Sequence, residues 1–491
     1  MDYVQSLGID ALWLSPIFPS PMADFGYDVS DYCDVDPLFG DLAEFEELLA
    51  DCHDRGLKVL LDFVPNHTSD QHPWFQESRQ SRDNPKRDWY IWRDPAPDGG
   101  PPNNWTSDMG GSSWEWDAAT GQYYLHAFLR EQPDLNWRNP AVFEAMHEVL
   151  RFWFDRGVDG FRIDVLWHCY KSPDFTDNPP NPDFHPAMGE KLKVLQQHSA
   201  HHPDIHDLAA SFRRLADEFG ERLLVGEICL PLPQLMEYYG SGDAPGVHLP
   251  FNFQLLDAAW DAEALTRLIT EYDAAIPEGG WPNWVMGSHD AARIAGRLGE
   301  AQARVAAMLL LTLRGTPTLY QGDELGIGWV DIPPDRVRDP QDLRQPGLNL
   351  GRDHARTPFA WDATENAGFS PAEPWLPLHA DWQTRNAAAQ EDDPQSMLNL
   401  YRSLLALRHR SPALSLGAIG MLPPQGAVLR YERRGDSERV FIALNLSVDA
   451  SRCELPPDTR AAQILASTGP SRPFDGQLQA NEGLIVLLEA S

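Results

Sequence analysis

Short apolar segments alternate with amphipathic helical segments along most of the chain, and this alternation constrains the fold more than any other feature. Ala11–Ser15 is a continuous apolar strand candidate, and Lys58–Phe63 is the next one. Between them, Asp41 and Glu44 have the spacing of a capping box, and Gly56 ends the predicted helix. Because parallel strands need long crossover connections, this order predicts a parallel sheet covered by helices.

Later segments continue the same pattern. The further strand candidates are Val158–Val165, Arg222–Glu227, Val247–Phe253, Trp284–Gly287 and Thr316–Tyr320. Helices are predicted at Pro140–Arg156, Glu300–Arg314 and Pro394–Arg410. Seven parallel strands fit a doubly wound open sheet, whereas a closed (β/α)8 barrel needs eight. Since Met1–Leu7 have the pattern of the end of a helix, we expect a strand and most of a helix to be missing from the front of the chain.

Two parts of the chain depart from the alternation. Residues 68–136 are rich in Trp, Pro, Gly and Asp, and they are too many for an ordinary strand–helix connection. They predict a small inserted domain. After Pro412, the strand candidates Ala427–Arg433, Arg439–Leu446 and Gly483–Leu488 follow one another without helices, which predicts a C-terminal all-β domain.

The composition excludes several classes of partner. Asp and Glu number 73 against 39 Lys and Arg, for a net charge of −34. Nucleic acids and anionic membranes are polyanions, so neither is an expected partner. The sequence has no long apolar run and no basic, apolar start typical of a signal peptide. Its five scattered cysteines lack metal or redox spacing and suggest thiols in a reducing cytoplasm.

Four carboxylates lie within or just after predicted strands. They are Asp62, Asp164, Glu227 and Asp290. The carboxyl ends of parallel strands meet at one face of a sheet, where acidic groups shift one another's pKa values in a way that suits acid and base roles. Arg162 precedes Asp164 by two residues and therefore lies on the same side of its strand. It either keeps Asp164 ionised or forms a structural ion pair with it.

Other candidate groups are less specific. His67 and His289 follow strand candidates and could be structural or functional, but no histidine or cysteine spacing supports a zinc site. Asp323 and Glu324 are interpreted as turn residues. The many aromatic residues between Trp74 and Phe128 are expected to form the core of the inserted domain, although exposed rings beside carboxylates also suit sugars.

Several short motifs in their joint order carry a resemblance to a known family. They are Gly26–Asp28, Asp62–His67, Gln132–Asn136, Gly160–Val165, Val225–Glu227, Ser288–Asp290, Gly315–Pro317, Tyr320–Glu324 and Arg352–Trp361. The chain resembles glycoside hydrolase family 13, the α-amylase family, and within it the α-glucosidase and oligo-1,6-glucosidase branch. The resemblance implies an α/β fold with a (β/α)8 TIM barrel at 1–67 and 137–411, its first strand apparently missing. It also implies an inserted domain after the third strand at 68–136 and an antiparallel β domain at 412–491.

The resemblance implies a retaining, exo-acting α-glucosidase. Asp164 would be the nucleophile, Glu227 the general acid/base, and Asp290 the group that holds the substrate hydroxyls and favours a distorted ring. Arg162 would orient and ionise Asp164. Val165 after the nucleophile resembles enzymes that accept α-1,6 bonds, so α-1,6 or mixed α-1,6 and α-1,4 specificity is expected.

The same resemblance assigns the sugar-binding residues. They are Tyr27, Asp28, His67, Phe128, Arg162, Val165, His289 and Arg352. Asp28 and the histidines would hydrogen-bond the sugar, while Tyr27 and Phe128 would form walls. Arg352 with Asp28 would clamp the non-reducing end, which closes the pocket at one side and implies cleavage of terminal glucose.

The sequence departs from the family pattern in three places. Ser288 stands where the family usually has Asn, and Met109 stands where close relatives often have Phe. The first strand and the acidic, metal-binding loop after it are absent, so neither a metal nor another cofactor is expected. The expected partners are small α-glucosides, with no nucleic acid and no membrane.

Two other functions stay open on the sequence alone. One is a glucosyl transferase or isomerase of the same family, such as a trehalose synthase or a sucrose-active enzyme. The other is a non-enzymatic relative or an inactive truncated chain that expresses poorly. Non-enzymatic relatives usually lose the catalytic carboxylates, and here Asp164, Glu227 and Asp290 are all present.

Overall fold

The computed structural model describes residues 1–242, 244–470 and 472–490. Its strands in chain order are β1 (Ala11–Leu14), β2 (Lys58–Phe63), β3 (Trp92–Arg93), β4 (Trp114–Asp117), β5 (Gln122–Leu125), β6 (Gly160–Ile163), β7 (Leu223–Gly226), β8 (Gly240–Ser241), β9 (Ala244–Pro245), β10 (Leu249–Pro250), β11 (Asn283–Val285), β12 (Thr316–Thr318), β13 (Ala418–Gln425), β14 (Val428–Arg434), β15 (Arg439–Asn445), β16 (Ser451–Arg452), β17 (Thr459–Ser467), β18 (Gln477–Leu478) and β19 (Gly483–Ala490).

The helices complete the secondary structure. In chain order they are α1 (Asp2–Leu7), α2 (Leu42–Asp54), α3 (Pro73–Ser78), α4 (Pro140–Asp155), α5 (Ile205–Glu218), α6 (Leu232–Glu237), α7 (Gln254–Asp257), α8 (Ala262–Ala275), α9 (Ile294–Leu298), α10 (Glu300–Thr312), α11 (Pro340–Arg344), α12 (Ala387–Glu391), α13 (Met397–Arg410) and α14 (Pro412–Ser415). Short 3₁₀ helices occur at Arg87–Trp89, Leu166–His168, Pro186–Met188, Glu190–Lys193, Asp323–Leu325, Asp353–Ala355 and Glu365–Gly368.

The chain divides into two compact units. The first comprises Met1, Asp10–Phe251 and Asp339–Gly351. The second comprises Asp2–Ile9, Asn252–Arg338 and the chain from Arg352 onward. This division does not test the predicted domain boundaries at 68, 137 and 412, which stay predictions.

A five-stranded sheet in the order β1-β2-β6-β7-β10 forms the centre of the first unit. Its strands pair in parallel, with Asp62 opposite Arg162 and Arg162 opposite Val225. The strands β2 and β6 are buried almost throughout, as is typical of parallel strands in α/β folds. The same unit holds the antiparallel sheet β3-β5-β4, whose Trp114 packs with Trp105 in a buried cluster.

Local sequence determines where the main helices of this unit begin. The Asp41 side chain accepts a hydrogen bond from the Glu44 backbone N–H, and the Glu44 side chain accepts one from the Asp41 backbone N–H, which confirms the predicted capping box of α2. Asn139 accepts from the backbone N–H of Ala141 at the start of α4. Both caps satisfy N–H groups that would otherwise lack partners.

The second unit contains a parallel pair, β11-β12, and a five-stranded antiparallel sheet in the order β13-β14-β15-β19-β17. The predicted strands β14, β15 and β19 are its inner strands, while the sequence reading missed the edge strands β13 and β17. Pro423 and Pro424 weaken the strand pattern of β13, and β17 is largely exposed and rich in alanine. Edge strands tolerate both features because only one side needs backbone pairing.

The predicted strand Val247–Phe253 is reduced to the two residues of β10. No helix in the described parts of the chain combines the length and apolarity needed to cross a bilayer.

Candidate active site

Three neighbouring strands of the first unit deliver charged side chains to one place. Asp164 directly follows β6, Glu227 directly follows β7, and Asp62 lies near the end of β2. Arg162 of β6 lies opposite Asp62 in the parallel register, so the two side chains project on the same side of the sheet. The strand order thus brings together residues that are up to 165 positions apart in the chain.

The guanidinium of Arg162 binds three carboxylates. Its Nη1 lies 2.6 Å from Oδ1 of Asp164 and 2.8 Å from Oδ1 of Asp62, and its Nη2 lies 2.7 Å from Oε2 of Glu227. All four side chains are almost fully buried. Because Asp164 and Glu227 are held by the two terminal nitrogens of one guanidinium, the two carboxyl groups are neighbours.

Asp62 holds the Arg162 guanidinium in place through its own hydrogen-bond partners. Its Oδ2 accepts hydrogen bonds from the Tyr27 hydroxyl at 2.9 Å and from Nε1 of Trp13 at 3.2 Å. The Arg162 guanidinium also lies over the Trp13 ring, 5.0 Å from its centroid. These contacts leave Arg162 one orientation, with one nitrogen directed to each of the two carboxylates after β6 and β7.

Burial dominates the electrostatics of the cluster. Desolvation raises the pKa of Asp164 well above its usual value, against the lowering effect of Arg162, and the charges of Glu227 and Asp62 raise it further. Three carboxylates share one guanidinium, so the ionised cluster carries excess negative charge. Burial lowers the pKa of Arg162, but the charges of Asp62, Glu227 and Asp164 outweigh burial and hold that pKa well above its usual value.

The chain turns sharply after Asp164. Val165 has φ 34° and ψ 44°, a left-handed conformation that β-branched residues rarely adopt. Its backbone N–H donates to Oε2 of Glu227 over 2.9 Å. Such a conformation costs about 1–3 kcal/mol, and it places a second donor on the carboxylate that Arg162 already binds.

Among the other predicted sugar-binding residues of this unit, His67 and Asp28 are buried and Phe128 packs against His67. Nε2 of His67 lies 3.2 Å from the backbone O of Tyr27, and burial lowers the pKa of His67 to about 4. The Phe128 ring packs 5.2 Å from that of His67. Both oxygens of Asp28 accept hydrogen bonds from residues 20–24, and burial raises its pKa. The predicted contacts of these residues with substrate stay predictions.

Lys171 belongs to this region and was missed by sequence reasoning. Its buried Nζ lies 2.7 Å from Oδ1 of Asn66 and 2.6 Å from Oδ2 of Asp134. Nδ2 of Asn66 in turn lies 3.1 Å from Nδ1 of His67. The ammonium therefore supplies a fixed positive charge behind the histidine. The sequence contains no pattern that singles out Lys171 as part of the site.

A second group of predicted residues lies in the second unit, after β11. Oδ1 of Asp290 is 2.8 Å from Nη2 of Arg356 and 3.3 Å from Nη1 of Arg352, and its Oδ2 is 3.1 Å from Nε2 of His289. Desolvation by the surrounding protein raises the pKa of Asp290, but these three groups outweigh it and hold that pKa well below its usual value. A carboxylate that stays ionised, with 38% of its side chain accessible, can accept hydrogen bonds from hydroxyl groups.

Two details of this group differ from the sequence reading. Arg356 was not predicted, although it lies within the motif Arg352–Trp361; its Nε also donates to the backbone O of His289 over 2.9 Å. Ser288, at a position where Asn was expected, accepts the backbone N–H of Asp290 at 3.1 Å and so supports the loop.

The comparison with known proteins identifies the family. The model described as the α-amylase catalytic domain matches residues 1–417. The chain belongs to the α-amylase family. Its sequence is 41% identical to a probable α-glucosidase of Rhizobium meliloti (strain 1021) over 93% of this chain and 85% of that protein. It is 35% identical to an oligo-1,6-glucosidase of Parageobacillus thermoglucosidasius over 93% and 86% of the two chains.

Solved structures of the α-amylase family agree with the fold. The α-glucosyl transfer enzyme XgtA superposes with a TM-score of 0.92 at 38% identity, covering 99% of this chain and 93% of that one. The trehalulose synthase MutB of Pseudomonas mesoacidophila MX-45 gives a TM-score of 0.91 at 36% identity, with coverage of 99% and 93%. The predicted α/β fold class of this family, with its C-terminal antiparallel sheet, is confirmed.

Proposed function

We propose that the protein is a retaining, exo-acting α-glucosidase that releases terminal α-linked glucose from short oligosaccharides. One observation carries the proposal, namely that Asp164 and Glu227 are bound by the two terminal nitrogens of the buried Arg162. Retaining glycosidases need two neighbouring carboxyl groups, one as nucleophile and one as acid/base. The relatives named α-glucosidase and oligo-1,6-glucosidase support the substrate class.

Asp164 and Glu227 divide the first chemical step between them. A carboxylate oxygen of Asp164 attacks the anomeric carbon, and Glu227 donates its proton to the glycosidic oxygen as the bond from carbon to oxygen breaks. Burial raises the pKa of Asp164, whereas the neighbouring Arg162 guanidinium lowers it. Attack requires Asp164 to be ionised and Glu227 to be protonated, so that one group is charged and the other acidic.

The second step returns the enzyme to its starting state. Glu227, now a carboxylate, removes a proton from water, whose oxygen attacks the anomeric carbon and releases Asp164. The two inversions together retain the α configuration. Asp290, kept ionised by His289, Arg352 and Arg356, is proposed to bind sugar hydroxyls and to stabilise the positive charge that develops on the ring.

We further propose that the reaction uses neither a metal ion nor an organic cofactor. Two carboxylates suffice for the chemistry, and the Lys171 ammonium already neutralises Asp134 next to the His67 region.

A cytoplasmic location is also proposed, because all five cysteines are free thiols and so suit a reducing compartment. Cell fractionation with an antibody against the chain checks the location.

The test uses the purified protein with isomaltose, maltose and sucrose. We expect release of glucose, and proton NMR of the first product should show the α-anomer before mutarotation. Release of the β-anomer, or no glucose from any of the three, contradicts the proposal.

The similarity to XgtA and MutB supports a second candidate function, which is glucosyl transfer or sucrose isomerisation. Transfer products in excess of free glucose would establish it instead.

A further inference from the structure

The loop that carries Asp290 forms a turn around Ser288 and Asp290. It connects β11 to α9 and contains Ser288, His289 and Asp290. Within the loop, the backbone N–H of Ala291 bonds the O of Ser288 at 3.4 Å, and Ser288 accepts the N–H of Asp290. These contacts shape one turn and do not hold either end of the loop.

Both ends of the loop meet a single buried carboxyl group, that of Asp323. Its Oδ1 accepts the backbone N–H of Ile294, the residue that begins α9, at 3.3 Å. Its Oδ2 packs against Gly287 so closely that a Cβ at that position would overlap it. Asp323 is only 5% exposed, so the contacts are shielded from water. The carboxyl therefore joins the residue before Ser288 to the residue after Arg293.

A partly buried arginine, Arg297, bonds the same segment as well. Arg297 donates to the backbone O of Met286 and, over 3.0 Å, to that of Ala292. Arg293, which lies in the segment itself, donates to the backbone O of Gln321, two residues before Asp323. Asp323 thus bonds the backbone at one end of the loop and packs against Gly287 at the other, while Arg297 bonds backbone carbonyls near both ends.

The buried surroundings of Asp323 disfavour the ionised form of its carboxyl group. Burial raises the pKa of Asp323 to about 7, although Arg293, the N–H of Ile294 and Arg297 lower it and Glu324 adds to it. The titratable and charged groups that face it are Arg293, Arg297, Glu324, Tyr320 and Tyr401. An uncharged side chain of similar size would fill this space at a lower cost in free energy. Packing alone therefore does not explain a carboxyl group at this position.

We infer that Asp323 is a positioning residue, which fixes both ends of the loop that presents His289 and Asp290 to substrate. This assigns a role to the motif Tyr320–Glu324, whose acidic residues were interpreted from sequence as turn residues. The role rests on the proposed function, because it is exerted through Asp290. A displacement of a substrate-binding group by about 1 Å can reduce the rate by about 10²-fold.

The test compares Asp323→Ala and Asp323→Asn with Glu324→Gln in the full-length protein. Glu324 is a matched control because it is the neighbouring buried carboxyl. It bonds the Tyr3 hydroxyl at 2.9 Å and the backbone N–H of Gly322 at 2.7 Å instead of the loop. Hydrogen exchange of residues 286–294, followed by mass spectrometry, reports loop order without reference to activity.

We expect Asp323→Ala to speed exchange of residues 286–294 by about tenfold or more. It should lower kcat/KM by about 10²-fold. Asp323→Asn keeps an acceptor for the Ile294 N–H and should fall between wild type and Asp323→Ala. Glu324→Gln should leave both quantities near wild type, whatever it does to the melting temperature. Unchanged exchange of 286–294 in Asp323→Ala, together with a lower melting temperature, overturns the inference in favour of a structural role.

A size exchange tests the contact itself. Gly287→Ala places a methyl group against Oδ2 of Asp323 and should lower kcat/KM in the wild-type background. In the Asp323→Ala background the added methyl no longer overlaps a carboxylate oxygen and keeps only an ordinary contact with Cβ of Tyr320 at 3.4 Å, so Gly287→Ala should cost little more. Additive losses would overturn the contact as the cause.

The pH dependence of stability separates the charge from the shape. The folded pKa of Asp323 is raised, so its contribution to stability is present below pH 4 and is lost as pH rises to about 7. The melting temperature of wild type should therefore fall more between pH 5 and pH 8 than that of Asp323→Asn. Equal pH dependence of the two melting temperatures would contradict the burial of an ionising group.

If the wild-type protein cleaves no α-glucoside, the proposed function fails, while the exchange and stability results still decide the role of Asp323.

Discussion

The backbone N–H of Val165 donates a hydrogen bond to Oε2 of Glu227 over 2.9 Å, from a left-handed conformation with φ 34°. Glu227 also receives Nη2 of Arg162 at 2.7 Å. The proposed acid/base is therefore held by one backbone and one side-chain donor, both from the segment that carries the proposed nucleophile. The strain at Val165 links the two carboxylates through the chain as well as through Arg162.

Asp164→Asn should lower kcat by at least about 10³-fold, because an amide cannot form the glycosyl ester. The melting temperature should stay near that of wild type, since burial already disfavours the charge of Asp164. Hydrolysis of isomaltose and differential scanning calorimetry measure the two quantities. Unfolding of the variant would favour a structural ion pair.

Asp159→Ala is the matched control for that variant. Asp159 precedes β6, whereas Asp164 follows it, and Asp159 accepts hydrogen bonds from the Val59 N–H at 2.9 Å and from Lys58 at 3.0 Å. The amino-terminal ends of such strands serve stability rather than catalysis. We expect a loss of about 2 kcal/mol in the free energy of unfolding, with kcat nearly unchanged.

Arg162→Lys should lower kcat/KM by about 10²-fold, because an ammonium cannot bind Asp164 and Glu227 with two fixed nitrogens. The variant keeps the positive charge, so a loss in stability should be smaller than for Arg162→Ala, which leaves three buried carboxylates without a cation. Equal activity of the lysine variant and wild type would show that charge alone is required.

Val165→Thr tests the predicted preference for α-1,6 bonds. The resemblance associates Val at this position with α-1,6 cleavage and Thr with α-1,4 cleavage. We expect the ratio of kcat/KM for isomaltose to that for maltose to fall by about tenfold, a change of one small group in a binding site. An unchanged ratio would remove Val165 from the determinants of linkage specificity.

Lys171→Met should destabilise the protein by about 3–5 kcal/mol, because it leaves the buried Asp134 carboxylate without its cation. Lys171→Met combined with Asp134→Asn should recover part of that loss.

Activity of the wild type should be unaffected by dialysis against EDTA, as expected if the Lys171 ammonium supplies the local positive charge. Inactivation by EDTA, reversed by added calcium or magnesium, would contradict the proposal that no metal is needed.

Acid should weaken the fold through His67. Its folded pKa of about 4 lies below the usual value because burial disfavours the charged ring. A depressed pKa contributes stability above about pH 6.5, which is lost as pH falls toward 4. His67→Gln should flatten the decrease in melting temperature over this range. A slope equal to that of wild type would place the acid sensitivity in other buried histidines, such as His72, whose pKa is lowered to about 3 by burial.

The sequence alone predicted the parts of the fold that are encoded over a few adjacent residues. Apolar runs predicted the parallel strands, and Asp41 with Glu44 predicted the start of α2. The strands that were not predicted depend on residues far away in the chain. The edge strand β17 lacks an apolar pattern because it buries little surface, and its pairing with β19 is decided by a neighbour that lies later in the chain.

The candidate site divides in the same way. Its carboxylates could be predicted because an acidic residue at the end of an apolar strand is conspicuous in one dimension. The orientation of Arg162, the left-handed turn at Val165, the ammonium of Lys171 beside Asp134, and the contacts of Asp323 with Gly287 and Ile294 could not. Each depends on side chains or backbone that are brought together only when strands, helices and loops pack, since desolvation and hydrogen-bond geometry are properties of the folded surroundings and not of the residue type.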